Sequence, residues 1–195
     1  MRKLFYLLLI PAVLAMSAQK SFAGEMVLAM AGPKAEAGDP ENTLYMELED
    51  GRVVIEMRPD LAPNHVSRIK ELVREGFYDG VVFHRVIDDF MAQGGDPTGT
   101  GTGGSGQNLD AEFSNERHVR GTLSMARSQS PNSADSQFFI CFGDVPHLDG
   151  QYTVWGKVAE GMEYVDQIKR GAPHDNGLVD NPDKIIRMQV AIDAQ

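Results

Sequence analysis

The sequence predicts a mainly β domain: an antiparallel barrel or sandwich of short strands with two isolated helices. The first sign is a strand–turn–strand pattern around Asp50-Gly51 near the start of the domain. The second is a series of short runs, separated by turn residues, at residues 81–87, 122–126, 137–142, 153–158 and 185–192. The third is that only two segments carry a helical period, residues 63–74 and 162–169.

The elements follow in chain order. Leu44, Met46 and Leu48 alternate with Tyr45, Glu47 and Glu49, and Val53, Ile55 and Met57 alternate with Val54 and Glu56. Period-two alternation flanking Asp-Gly is the strongest short-range signal for a hairpin. Pro63 suits a first helical turn, Val66, Ile69, Leu72 and Val73 share one face, and Gly76 ends the helix. A strand follows at 81–87, and Met91 begins another. Residues 96–108 form a long Gly/Thr/Ser loop. Strands at 122–126, 137–142 and 153–158 precede a second helix at 162–169, whose apolar positions are Tyr164, Val165 and Ile168, with Gly171 beyond it. A strand at 185–192 closes the domain.

Residues 1–23 read as a secretory signal peptide. Arg2 and Lys3 supply the positive start, residues 4–16 form an apolar run too short to span a bilayer, and Ser21-Phe22-Ala23 offers small residues at a cleavage site. Residues 24–41 are rich in Ala, Gly and Pro and read as a linker, leaving 42–195 as one domain. No later apolar run approaches 18 residues, so the processed protein is expected off the membrane, and the signal peptide implies a periplasm, or secretion where the source has no outer membrane. Cleavage removes Arg2, Lys3 and Lys20 and no acid, taking the formal charge from −10 to −13. Such a surface disfavours nucleic acid and anionic membranes as partners.

Several chemistries are missing. There is no Gly-x-Ser-x-Gly elbow and no Cys-x-x-Cys, and the five histidines have no metal-ligand spacing, so neither metal nor cofactor is expected. The lone Cys141 lies in an apolar run and reads as a core residue. Gly99-x-Gly101-x-x-Gly104 matches the dinucleotide fingerprint, but no strand–helix unit surrounds it, so a nucleotide site is rejected.

Residues 83–96 place Arg85 near apolar Phe90 and Met91, with Gln93 two residues on. The segments Phe83-His84-Arg85-Val86-Ile87 through Gly95-Asp96, Leu123-Ser124-Met125-Ala126, Ser136-Gln137-Phe138-Phe139-Ile140 and His147-Leu148-Asp149-Gly150 resemble, in order, the successive signatures of the cyclophilins. The resemblance covers residue 42 to the C-terminus. It implies a closed eight-stranded antiparallel β-barrel with a helix capping each end, and a monomeric peptidyl-prolyl cis-trans isomerase acting on proline-containing, folding polypeptides. It assigns Arg85 as the catalytic arginine and Phe90, Met91, Phe139 and Leu148 as the proline pocket. Gln93 and Gln137 flank that pocket, Ala126 and Arg127 line the substrate backbone, and Gly101 belongs to the adjoining loop. His147 stands where familiar members carry Trp, and Tyr152 where many carry His; both are carried over as substrate contacts. Arg127-Ser128 replaces a more usual Asn-Ala.

The reaction breaks no covalent bond. Its barrier is the loss of amide resonance, about 18–20 kcal/mol, so absent triads and metals are expected. Strand alternation puts His84 on the face opposite Arg85, a structural place. A domain that only holds proline segments is the alternative, and Arg85 argues against it.

Overall fold

A computed structural model describes residues 38–194. The segments read as signal peptide (1–23) and most of the linker (24–37) lie outside the described residues.

Eight strands form one antiparallel sheet: β1 (Thr43–Glu47), β2 (Arg52–Met57), β3 (Arg85–Ile87), β4 (Met91–Gly94), β5 (Thr122–Met125), β6 (Phe138–Cys141), β7 (Val154–Glu160) and β8 (Arg187–Val190), in the order β3-β4-β6-β5-β7-β2-β1-β8. The helices are α1 (Pro63–Arg74) and α2 (Met162–Val165). In the opening hairpin Leu44 pairs with Ile55 and Met46 with Val53. All four are fully buried, as their alternation requires.

The closed barrel expected from the resemblance is corrected in one respect. The strand ladder is open: β3 and β8 are its two edges and do not pair. Between them stands only an isolated bridge, Val82 with Lys184, with bonds from Phe83 N to Asp183 O at 2.9 Å and Ile185 N to Val81 O at 2.9 Å. The first strand of this region is therefore shorter than 81–87, because the chain changes partner after Phe83. From His84 onward it bonds to 177–179 instead, through Val179 N to His84 O at 3.0 Å and Val86 N to Gly177 O at 2.8 Å.

α1 packs on β8 with Val66, Ile69, Leu72 and Val73 inward. Its first turn also buries His65, and Glu112, from a distant loop, accepts the free N–H groups of Asn64 and His65 at 3.1 and 3.0 Å. α2 packs on β2 and ends early, at Val165 rather than 169. Beyond it the bonds tighten to i→i−3, Ile168 N reaching Val165 O at 3.2 Å. Arg170 then folds back to take the carbonyls of Asp166 and Ile168 at 2.8 and 2.6 Å.

The apolar run at 138–142 is uninterrupted because β6 is buried on both faces. Phe138 and Ile140 face the main core, where Phe138 meets Tyr78 and Trp155 edge-on at 5.7 and 5.8 Å. Phe139 and Cys141 face the other way and join Met91, Val145 and Leu148 in a second buried cluster. Each Phe, Met or Leu so buried contributes about 1.5–3 kcal/mol. Cys141 is fully buried in that cluster, and burial pushes its thiol up to about 12.

Candidate active site

Met91, Phe139 and Leu148 of the second cluster form the floor of a surface depression, and the register of four strands positions its residues. Arg85 on β3 is paired with Gln93 on β4, Gln93 with Phe139 on β6, and Phe139 with Ser124 on β5. These residues form one cross-strand row on one face of the sheet. A parallel row two residues along joins Ile87, Met91 and Cys141. Polar Arg85 and Gln93 thus stand directly beside apolar Phe139 and Met91.

Nine residues line the depression, which has a volume of about 120 Å³: Arg85, Phe90, Met91, Gln93, Ala126, Arg127, Phe139, Leu148 and Tyr152. All nine are among those singled out by sequence. Gly101 and Gln137 instead line a neighbouring cavity of about 360 Å³, which shares Gln93, Ala126 and Arg127. His147 lines neither. It sits on a three-residue turn, Pro146–Leu148, that buries Leu148 and exposes His147. Its imidazole lies 5.7 Å from the Phe90 ring, outside the depression.

The Arg85 guanidinium is held on two sides. Nη1 donates to Gln93 Oε1 at 3.2 Å, while Nε and Nη2 donate to the carbonyl and side-chain oxygens of Asn176 at 3.0 and 2.9 Å. Burial lowers its pKa from the ordinary arginine value, with Tyr152 opposing. A guanidinium nevertheless stays protonated in proteins.

Gln93 and Gln137 form a relay away from the arginine. Gln93 Nε2 donates to Gln137 Oε1 at 2.9 Å, and Gln137 Nε2 donates to the carbonyls of Gly101 and Gly103 at 3.1 and 2.8 Å. The glycine loop is itself wound around Asp96, a fully buried carboxylate that accepts the N–H groups of Thr98, Gly101 and Gly103 at 2.7, 2.7 and 3.0 Å. Burial opposes ionisation, but those bonds hold the Asp96 carboxyl far below its usual range. Three of the loop's N–H groups are thus occupied by the protein's own anion.

His84 is buried and lines neither cavity; the loop crosses above it, with a Cβ on Gly101 reaching 3.4 Å from its ring. The sequence motifs do not reach two other residues beside the site. Asn176 is 91 positions from Arg85, and Asn176-Gly177 signals only a turn. His118, fully buried, stacks on Phe139 at 6.2 Å and meets Tyr152 edge-on at 6.5 Å. Asp149 only accepts, so His118 Nδ1 carries the proton of their 3.0 Å bond and Nε2 faces Ser124 Oγ at 3.0 Å.

Comparison with known proteins places this arrangement. Residues 43–190 match the family model for cyclophilin type peptidyl-prolyl cis-trans isomerase/CLD. The chain belongs to that family. It is 57% identical over 173 residues to a probable peptidyl-prolyl cis-trans isomerase of Brucella suis, covering 83% of this chain and 88% of that one. It is 45% identical over 132 residues to peptidyl-prolyl cis-trans isomerase B of Bacillus subtilis, covering 66% and 92%. Among solved structures, cyclophilin AquaCyp293 from Hirschia baltica superposes with a TM-score of 0.72 at 29% identity, covering 80% of this chain and 76% of that one. A Cryptosporidium parvum cyclophilin crystallised in the presence of the dipeptide Ala-Pro gives 0.70 at 30% identity, covering 76% and 98%.

This cyclophilin is therefore an enzyme of the peptidyl-prolyl cis-trans isomerase class. Its cross-strand row puts Arg85 beside an apolar hollow.

Proposed function

We propose that this cyclophilin is exported and accelerates rotation of X-Pro bonds in folding client proteins, with Arg85 as the catalytic residue. The observation that carries the reading is the Arg85 guanidinium at the rim of the hollow lined by Phe90, Met91, Phe139 and Leu148. The hollow has the scale of one small residue and takes the pyrrolidine ring. Gripping the ring leaves the acyl side of the bond to turn. As resonance is lost, the prolyl nitrogen regains its lone pair, and a guanidinium N–H donates to it. A donor fixed in advance in a groove poor in water is strongest where charge develops in the transition state. Gln93 orients the guanidinium, while Ala126, Gln137 and the carbonyls of the glycine loop offer polar contacts along the substrate backbone.

Replacing Arg85 by Ala tests the assignment. In a protease-coupled assay on a short X-Pro peptide, kcat/KM should fall on the order of 10²-fold, with circular dichroism and melting unchanged. Near-normal turnover with the fold intact overturns the role of Arg85.

Export rests on the apolar run at residues 4–16 and the Ser21-Phe22-Ala23 site. Outside the cytoplasm, prolyl isomerisation taking tens to hundreds of seconds limits the folding of exported chains, which suits the activity to the compartment. Expressed from the full sequence, the protein should accumulate in a periplasmic extract with an intact mass beginning at Gly24. Full-length protein confined to the cytosol counts against export.

A further inference from the structure

The two-sided hold on Arg85 has an unequal origin. Gln93 comes from the adjacent strand, as sheet register dictates, but Asn176 comes from a loop far along the chain. We propose that Asn176 is a positioning residue for catalysis, holding the Arg85 guanidinium at the angle that presents its free N–H groups to the prolyl nitrogen. This deepens the reading of Arg85 given above and rests on it.

Three observations carry the proposal. The first is the contact itself. Asn176 meets two adjacent donors of the guanidinium side-on, through its main-chain and side-chain oxygens at 3.0 and 2.9 Å, which fixes the plane of the fork as well as its distance. With Nη1 on Gln93, three of the five donors of an arginine are engaged, leaving two for the hollow that Arg85 lines.

The second is the backbone that presents Asn176. It has φ 51°, ψ 31°, a left-handed conformation that Asn tolerates better than most residues. Gly177 continues it at φ 77° and lies so close to β3 that a Cβ there would run into Ile87 Cγ1 and the Val86 carbonyl. Glycine at 177 is thus required both by conformation and by space.

The third is how the loop is fastened. It closes on itself through Gly177 N to Ala172 O at 3.0 Å and Ala172 N to Leu178 O at 3.1 Å. It is tied to β3 by Val86 N to Gly177 O at 2.8 Å, Gly171 N to Val86 O at 2.9 Å and Val179 N to His84 O at 3.0 Å. Those ties fall on the two residues flanking Arg85. One loop therefore fixes both the backbone and the guanidinium of the arginine, and transition-state donors act best when fixed before reaction.

The test is a double-mutant cycle read in kcat and KM separately. Asn176→Gly keeps the left-handed backbone and its carbonyl but removes Oδ1. We expect kcat on a short X-Pro peptide to fall about tenfold, KM to stay within about twofold, and melting to stay near wild type. In an Arg85→Ala background the same change should cost nothing further, since a residue acting only through Arg85 has nothing left to hold. Asn176→Asp, which keeps the acceptor, should retain more kcat than Asn176→Gly. If Asn176→Gly folds poorly, the kcat ratio of Asn176→Asp to Asn176→Leu, side chains of similar shape, decides the same point. Unchanged kcat in Asn176→Gly while Arg85→Ala is inactive refutes Asn176 and leaves Arg85 standing. An equal loss from Asn176→Gly in both backgrounds also refutes it. Turnover surviving in Arg85→Ala removes the reading of Arg85 itself, and this proposal with it.

Discussion

Arg127 stands among the residues that the family resemblance assigns to the substrate backbone, yet its donors point at the protein itself. Nε and Nη2 reach the Gln151 carbonyl at 3.1 and 3.0 Å, and Nη1 reaches those of Ser128 and Gln129 at 2.9 and 3.3 Å. Its plane lies 4.6 Å over the Tyr152 ring, which in turn stands edge-on to Phe139 at 5.8 Å and 82°. Arg127 therefore acts as a clamp on Tyr152, and through it on one wall of the hollow. Two departures from the usual family residues, Arg127 and Tyr152, thereby form one contact. Arg127→Ala should raise KM for an X-Pro peptide about threefold to tenfold, the range of a cation–π contact, and leave kcat nearly unchanged. Arg127→Lys should fail to restore KM, because an ammonium has neither the flat face nor the fork. Steady-state kinetics of the two variants check this, and an unchanged KM in both removes the clamp. The same contrast marks what one sequence discloses about a site. Arg85, Phe90, Met91 and Gln93 sit within nine positions of one another in a patterned segment, so their proximity can be read directly. Asn176 and His118 reach the site only through the approach of distant loops to the sheet, which no local pattern encodes.

At the scale of elements, alternation foretold more than length did. The face of each strand was legible: Leu44, Met46, Val53 and Ile55 inward in the hairpin, and Phe139 opposite Phe138 on β6. Strand ends were less so, because a strand stops where its neighbour stops. Residues 81–83 have the right composition for β3, but their neighbour is 183–185, outside the ladder. The end of α2 likewise depends on Arg170 folding back on Asp166 and Ile168, a contact that helical periodicity does not register. The depression owes its rigidity to this level. Arg85, Gln93, Phe139 and Ser124 come from four adjacent strands, so no single loop movement separates the cation from the apolar floor. The glycine loop borders only the neighbouring cavity, where wrapping around Asp96 holds it in place.

For the whole molecule, His84, His118, Asp96 and Glu112 act in one direction on stability. Burial lowers the pKa of His84, with Asp96 opposing, and of His118, with Asp149 opposing. The unfolded chain binds their protons near pH 6.5 and the folded chain holds them off, so stability falls as pH drops through that value. The carboxyls of Asp96 and Glu112 lie below their ordinary range despite burial, held there by hydrogen bonds from Gly103 and Thr98 and from His65. Their contribution is complete above about pH 4 and is lost on further acidification. One effect opposes this trend: protonation relieves the repulsion of a chain with formal charge −10. That repulsion acts between exposed charges and is screened beyond about 8 Å at physiological salt, whereas the histidines are buried, so the local groups win. Melting temperature in 0.15 M salt should fall between pH 7.5 and 5.5 and fall more steeply below about pH 4. A flat or rising profile between pH 7.5 and 5.5 contradicts the assignment. His84→Phe isolates the cause. Neither nitrogen of the His84 ring has a hydrogen-bond partner among the described residues, so an aromatic ring without them leaves nothing unpaired. That variant should melt no lower than wild type at pH 7.5 and show a shallower decline toward pH 5.5, and an identical slope would move the cause to His118.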